Sequence, residues 1–205
     1  MASSSTDENP AQSESSRRGR PRSAACDEAI LTAAWRLLDE VGYTRMSMEG
    51  IARAAGVGKP TLYLRYADKA EVAAAAFMRQ RIQRAPVPAG DLRADIAAQL
   101  DHVRTVMMGS GMRLLGTCLV EEDRMPHLID LLRERSTHPG RAVLRGILEQ
   151  GISRGEVDPD ADIDTAVSMA IGAFYSTRIG GRPFPPDWAE RVADAVIRMV
   201  APRMA

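Results

Sequence analysis

The chain is poor in the residues that support metal and redox chemistry, with two cysteines and three histidines among 205 residues. Cys26 and Cys118 form no Cys-x-x-Cys pair and have no histidine close by in sequence, so both read as small buried hydrophobes. The scattered histidines complete no metal set. No apolar run approaches the ~18 residues a membrane span needs. The N-terminus opens on serines and acidic residues instead of a basic region followed by an apolar stretch, so no secretory signal is expected. These absences leave the cytoplasm as the expected compartment and give no reason to invoke a membrane. The C-terminal half offers no strand alternation, no nucleophile paired with a base, no metal-ligand set and no phosphate-cradling glycine loop. An enzyme is therefore not expected, and no cofactor is implied. Lysine is the oddest scarcity: Lys59 and Lys69 are the only two among 27 basic residues, and both lie in the stretch GVGKPTLYLRYADK.

What is present is ordinary for a globular protein, 45% apolar and 26% charged, in a length that suits one large domain or two small ones. A formal net charge of zero argues against a polyanionic partner, but the average conceals a sorting. Residues 1–16 carry three acids and no base, residues 17–84 carry 13 basic against 7 acidic residues, and residues 85–205 carry 14 against 17. Positive charge is concentrated where one segment alone would meet nucleic acid.

Three regions follow: a tail with a basic arm over 1–22, a helical unit over 23–84, and a second helical region over 85–205. The first 16 residues, rich in serine, bury too little apolar surface to offset ordering and are expected to be disordered. In RRGRPR, Gly19 and Pro21 argue against a helix and for an extended arm bearing Arg17, Arg18, Arg20 and Arg22. Such a run is either a solvated flank or, placed before a DNA-binding unit, an arm suited to a narrow minor groove.

Ile30, Ala33, Leu37, Leu38 and Val41 recur at helical spacing and predict a helix over 23–41 closed by Gly42. A short helix is expected over 48–55, capped by Ser47 and ended by Gly56, and another starts near Gly58 with Pro60 in its first turn. Ile51, Ala52, Gly56, Val57 and Leu62 match a helix-turn-helix, with a glycine free to take positive φ and apolar residues that lock the crossing. At 100° per residue Leu62 and Tyr66 share the inner face, which leaves Lys59, Pro60, Thr61, Tyr63 and Leu64 outside. That face suits a major groove: apolar atoms for thymine methyls, Thr61 for a base edge, Tyr63 and Lys59 for phosphates. Lys69, opening the next helix after Asp68, is expected to share a phosphate with that helix's first amides.

The stretch GYTRMSMEGIARAAGVGKPTLYLRYADKAEV resembles the N-terminal domain of the TetR family of transcriptional regulators. The likeness covers about Ala24 to Arg84 and includes the Ile-Ala pair, the Ala-Gly-Val turn, the Thr-Leu-Tyr core and the lysine at the start of the fourth helix. It implies that Ser47 and Tyr63 contact phosphate, that Pro60, Thr61 and Leu64 face bases, and that Lys69 anchors the fourth helix to the DNA backbone. Leu64 and Arg65 depart from the family's usual residues, which bears on base preference and not on DNA binding itself.

Beyond PVPAG at 86–90, helices are expected near 91–108, 111–123, 126–137, 139–154, 162–180 and 186–201. The fold class is therefore all-α: a three-helix helix-turn-helix domain followed by a helical ligand-binding and dimerisation domain. Ser168, Gly172, Ser176 and Gly180 form a shallow stripe along one helix, and Val192, Val196 and Met199 lie on the last. The resemblance implies that these two helices pair with their symmetry mates in a homodimer; plain intrachain core is the other reading. It also implies an enclosed cavity for a small-molecule effector, for which Met107, Met108, Met112, Leu115, Cys118, Leu119 and Phe174 are the candidates. Arg113 and Arg178 read as solvated surface, with pairing to an anionic ligand as the other reading, and the acidic run Glu121 to Asp123 reads as a solvated helix end and not a metal site. The expected function is a homodimeric repressor of a palindromic operator, released by a ligand, with an architectural or ligand-independent DNA binder of the same fold as the alternative.

Overall fold

A computed structural model describes residues 20–83 and 85–202. Among them no strand occurs, and eleven helices follow one another: α1 Arg20–Glu40, α2 Gly42–Arg45, α3 Met48–Ala55, α4 Lys59–Tyr63, α5 Lys69–Gln83, α6 Leu92–Val106, α7 Met112–Val120, α8 Pro126–Leu132, α9 His138–Ser153, α10 Ile163–Ile179 and α11 Trp188–Val200. No helix of the described residues is long and apolar enough to cross a membrane.

The element most others depend on is α5. Ala70, Val72, Ala73, Ala74, Ala76 and Phe77 are all buried, so the helix is covered on most of its circumference. Small side chains make that possible, because they let neighbouring backbones come close. On one side α5 packs against α1, whose Ile30, Ala34 and Leu38 are also buried; further along it meets α8 and α6. One helix thus belongs to the cores of both halves of the molecule. Its N-terminus is well made: the Asp68 carboxylate accepts from the amides of Ala70 and Glu71 at 2.8 and 2.9 Å.

Two expectations at the N-terminal end need correction. The arm was expected to stay extended to Arg22, yet α1 starts at Arg20. Pro21 falls in its first turn, where a missing N–H costs nothing; Arg17 and Arg18 lie outside the described residues. The second correction is α2, a single turn between the first helix and the helix-turn-helix that four residues were too few to announce. Gly42, at φ 76°, closes α1 as expected and at once opens this turn.

Lys69 explains why α2 holds. Its ammonium donates to the carbonyls of Tyr43, Thr44 and Met46 at 3.3, 3.4 and 3.4 Å, and sits 4.5 Å from the centroid of the Tyr43 ring. These carbonyls are at the end of a helical turn, where the Met46 amide also reaches the Tyr43 carbonyl at 3.2 Å, and a cation there is favoured both by hydrogen bonding and by the turn's dipole. Tyr43 is buried beneath, and burial, with Asp68 nearby, pushes its phenol up to about 12.

The C-terminal half follows the expected boundaries closely, with two irregular turns between helices. At Met107–Gly111 the chain leaves helical geometry: Met108 is extended and Gly109 takes φ 83° with ψ −121°, a combination open to glycine alone. Ser110 donates to Asp39 at 3.0 Å, and Arg113 donates to the Asp39 carbonyl, so this kink is tied to the C-terminus of α1. A wide turn at Arg133–Thr137 joins α8 to α9. The helix expected to reach 123 stops at Val120, and the acidic run forms a turn in which Glu121 and Glu122 pair with Arg124 and Arg133.

Replacing Lys69 with Met is expected to lower stability by ~1–2 kcal/mol in urea unfolding, as loss of a partly exposed ammonium bonded to carbonyls would; an unchanged midpoint would remove Lys69 from the account of α2.

Candidate nucleic-acid interface and regulatory cavity

The helix-turn-helix is built as its spacing indicates. Ser47 caps α3 by accepting from the Gly50 amide at 3.1 Å, and Gly56 ends the helix in the left-handed conformation at φ 68°. The Val57 amide returns to Ala52 O at 3.0 Å, a carbonyl that also accepts from the Gly56 amide, and so closes the helix end. Ile51, Ala52 and Leu62 are buried and Tyr66 packs against the same core, fixing α4 across α3.

That anchoring decides what α4 shows to solvent. Lys59, Pro60 and Leu64 are exposed, Leu64 to 84%, Tyr63 is 49% exposed and Thr61 is half-buried. Ser47 is exposed at the start of α3. A leucine and a tyrosine on one short helical face gain nothing from water, and their neighbours are a proline and a lysine. Lys59 is not free, however: its ammonium donates to Glu49 at 3.0 Å, and this bond holds the Glu49 carboxyl below its usual range. Glu49 therefore places a negative charge beside the cationic face.

Of the two lysines, only Lys59 stands on that face. The expectation of a phosphate contact from Lys69 meets an ammonium already shared among three carbonyls. Arg65 also turns inward, donating from Nε to Asp27 at 2.8 Å and from Nη1 to the Thr61 carbonyl at 3.2 Å. It braces α4 against α1. Neither the Lys69 cap nor the Arg65 brace was visible in spacing, because both depend on which carbonyl or carboxylate the fold brings near.

In the C-terminal half a cavity of about 230 Å³ opens between α5, α6, α7, α9 and α10. Its wall includes Phe77, Val106, Leu114, Leu132 and Ile171, with Arg81, Thr137, Arg141 and Tyr175 as polar members. Of the seven residues expected there, Met107 and Leu115 line it. The other five do not. Met108 is extruded by the kink and Leu119 is exposed; Met112 packs against the core elsewhere. Cys118 is fully buried in the core, where burial pushes its thiol up to about 11. Phe174 is also fully buried, stacked on Phe184 at 5.4 Å and edge-on to Trp188 at 6.4 Å. Spacing placed Met112, Leu115, Cys118, Leu119 and Phe174 on helices, whereas Met107 and Met108 fall in the kink, and methionine content was a poor guide to which face meets the void. The residues missed, Arg81 and Tyr175 above all, lie on α5, which was read only for the DNA-binding half, and on α10, where the neighbouring Phe174 was the candidate.

A second, shallower hollow of about 660 Å³ lies on the outside, between α10 and α11. Met169, Ser176, Val192, Val196 and Met199 line it, so three of the expected interface residues on α11 and one on α10 are together. Val196 is buried within the chain, whereas Met169 and Met199 are 58% and 42% exposed. Ser168 is exposed and accepts from Arg141 at 2.9 Å, and Gly172 is half-buried on the same helix. Among the described residues, no group of three or more His, Cys, Asp or Glu side chains is placed to hold a metal.

Comparison with known proteins agrees with both halves. Residues 30–76 match the model for bacterial regulatory proteins of the tetR family, and residues 86–196 match the tetracyclin repressor-like C-terminal domain. The HTH-type transcriptional regulator YdeS of Bacillus subtilis is 34% identical over 172 residues, covering 81% of this chain and 85% of its own. The DNA-binding transcriptional repressor TetR of Mycobacteroides abscessus is 27% identical, over 88% of this chain and 94% of its own. Among solved structures, the TetR family transcription regulator SCO0332 superposes with a TM-score of 0.70 at 26% identity, covering 86% of this chain and 99% of that one. A TetR regulator from Agrobacterium tumefaciens superposes at 0.65 with 27% identity, over 85% and 92% of the two chains. With an N-terminal helix-turn-helix, an all-helical C-terminal domain and matches that span both, this chain belongs to the TetR family of DNA-binding transcriptional regulators.

Proposed function

We propose that the chain acts as a homodimeric repressor that occupies a palindromic operator and leaves it when a small molecule enters the C-terminal cavity. The observation that carries the DNA side is the outward face of α4. Tyr63 and Leu64 are held in solvent by a buried Leu62, at positions where a base-reading helix needs them. Ser47, Lys59 and Tyr63 act on phosphates, while Pro60, Thr61 and Leu64 meet base edges. Arg17 and Arg18 precede α1 and serve as the minor-groove arm, with Arg20 and Arg22 continuing it on the first turn of α1. One such face covers too few bases for specificity, and two related by a two-fold axis read half-sites about 34–36 Å apart. The hollow between α10 and α11, with Met169 and Met199 exposed beside Ser176 and Val192, supports self-association through those helices.

The link between sites is α5. It starts at the Lys69 cap beside the helix-turn-helix and carries Arg81 on the cavity wall, about 18 Å further along the helix. A ligand that binds better when α5 is displaced opposes operator binding by the same coupling free energy, ~1–3 kcal/mol in typical cases.

Three variants test this reading. Tyr63→Ala is expected to weaken binding to operator and random duplex alike, by anisotropy titration, with the log–log salt slope unchanged because a neutral phenol displaces no counterion; unchanged affinity would detach α4 from phosphate. Glu49→Gln should do the reverse, strengthening binding to all DNA because Lys59 is released and a negative charge leaves the face. If it weakens binding, Glu49 has a positioning role instead. Met199→Glu should shift sedimentation from dimer to monomer and abolish cooperative operator binding; a dimer that persists would move the interface away from α11.

A further inference from the structure

The cavity's chemistry says more about its ligand than its position does. Most of the wall is apolar, and none of its residues is Asp, Glu or His. The charged groups on it are two arginines, in a chain whose formal net charge is zero. Arg81 is the more telling. Its Nη1 donates to the Ser136 carbonyl at 2.6 Å and to the Ser136 hydroxyl at 3.1 Å, and no carboxylate pairs with it among the described residues. The neighbouring arginine on the same helix is treated differently, since Arg79 is paired with Glu28. Burial pulls the Arg81 guanidinium below its usual range, the mark of a cation taken from water without a counterion.

The fold also makes room for this side chain. A Cβ on Gly140 would overlap the Arg81 guanidinium, so α9 carries a glycine where any other residue would displace it. Tyr175 and Thr137 lie on the same wall, and Arg141 lines it while donating to Ser168. An arginine fork is shaped for two parallel hydrogen bonds to a carboxylate or similar acid group. A neutral guest would gain only apolar burial, and a cation would meet two positive charges.

Resting on the reading of this cavity as the effector site, we propose that it takes an amphipathic anion: an apolar body seated among Phe77, Leu114 and Ile171 with one acid group received by Arg81. The anion supplies the counterion that the wall lacks.

Octanoate, 1-octanol and octylamine share one chain and differ in head-group charge, so calorimetric titration of each into the purified protein separates the contributions. Octanoate is expected to bind about tenfold or more tightly than 1-octanol, with octylamine weakest. Arg81→Met should erase the preference for octanoate while leaving 1-octanol binding in place, and Arg81→Lys should restore part of it. Should Arg81→Met fail to fold, the three-way comparison on the unaltered protein decides alone. Equal binding of octanoate and 1-octanol, or tighter octylamine, overturns the anion while leaving the cavity as a ligand site. No heat and no protection against thermal unfolding from any of the three overturns both.

Discussion

A helix buried on most of its circumference can be shared by two domains only if its side chains are small, and α5 meets that condition with Ala70, Ala73, Ala74 and Ala76. Close packing of α1 on α5 orients the helix-turn-helix, because α3 is packed in turn on α1. The far end of the same helix forms part of the cavity wall through Phe77 and Arg81. Under the proposed function, a ligand at Arg81 acts on the helix-turn-helix by moving α5 as a unit, because close-packed interiors do not deform gradually. The outward face of α4, the Lys69 cap and the C-terminal cavity all depend on how one alanine-rich helix is seated.

The DNA-binding head was the most legible part. A cap at Ser47, a left-handed glycine at Gly56, a proline at the start of α4 and the buried trio Ile51, Ala52 and Leu62 each follow from local chemistry that a linear sequence displays. Their mutual agreement leaves one geometry for α4, and its outward residues follow by rotation. The C-terminal helices were legible in number and boundary for the same reason, since Gly, Pro and Asp clusters punctuate apolar periodicity there.

What sequence could not show was pairing across the fold. Lys69 was read as a phosphate contact because it opens a helix after Asp68; its partners, the carbonyls of Tyr43, Thr44 and Met46, come from a turn some 25 residues earlier. Arg65 found Asp27 in the same way. The cavity was located on the correct stretch but not on the correct faces. Periodicity tells which residues leave water, but a wall and a core are equally dry. Phe174 and Cys118 went to the core, and the extended Met108 with its glycine neighbour turned a methionine outward. Polar wall residues such as Arg81 and Tyr175 are invisible to a search for soft hydrophobes.

The central claim is that α4, presented twice by a two-fold dimer, reads DNA sequence. Selection of random-sequence duplexes by the purified protein, followed by sequencing of the bound fraction, tests it most directly. The account predicts an inverted repeat whose half-site centres lie one helical turn or a multiple of it apart, as two reading helices related by symmetry require. Enrichment of no motif, with binding that depends on salt and not on sequence, would contradict it.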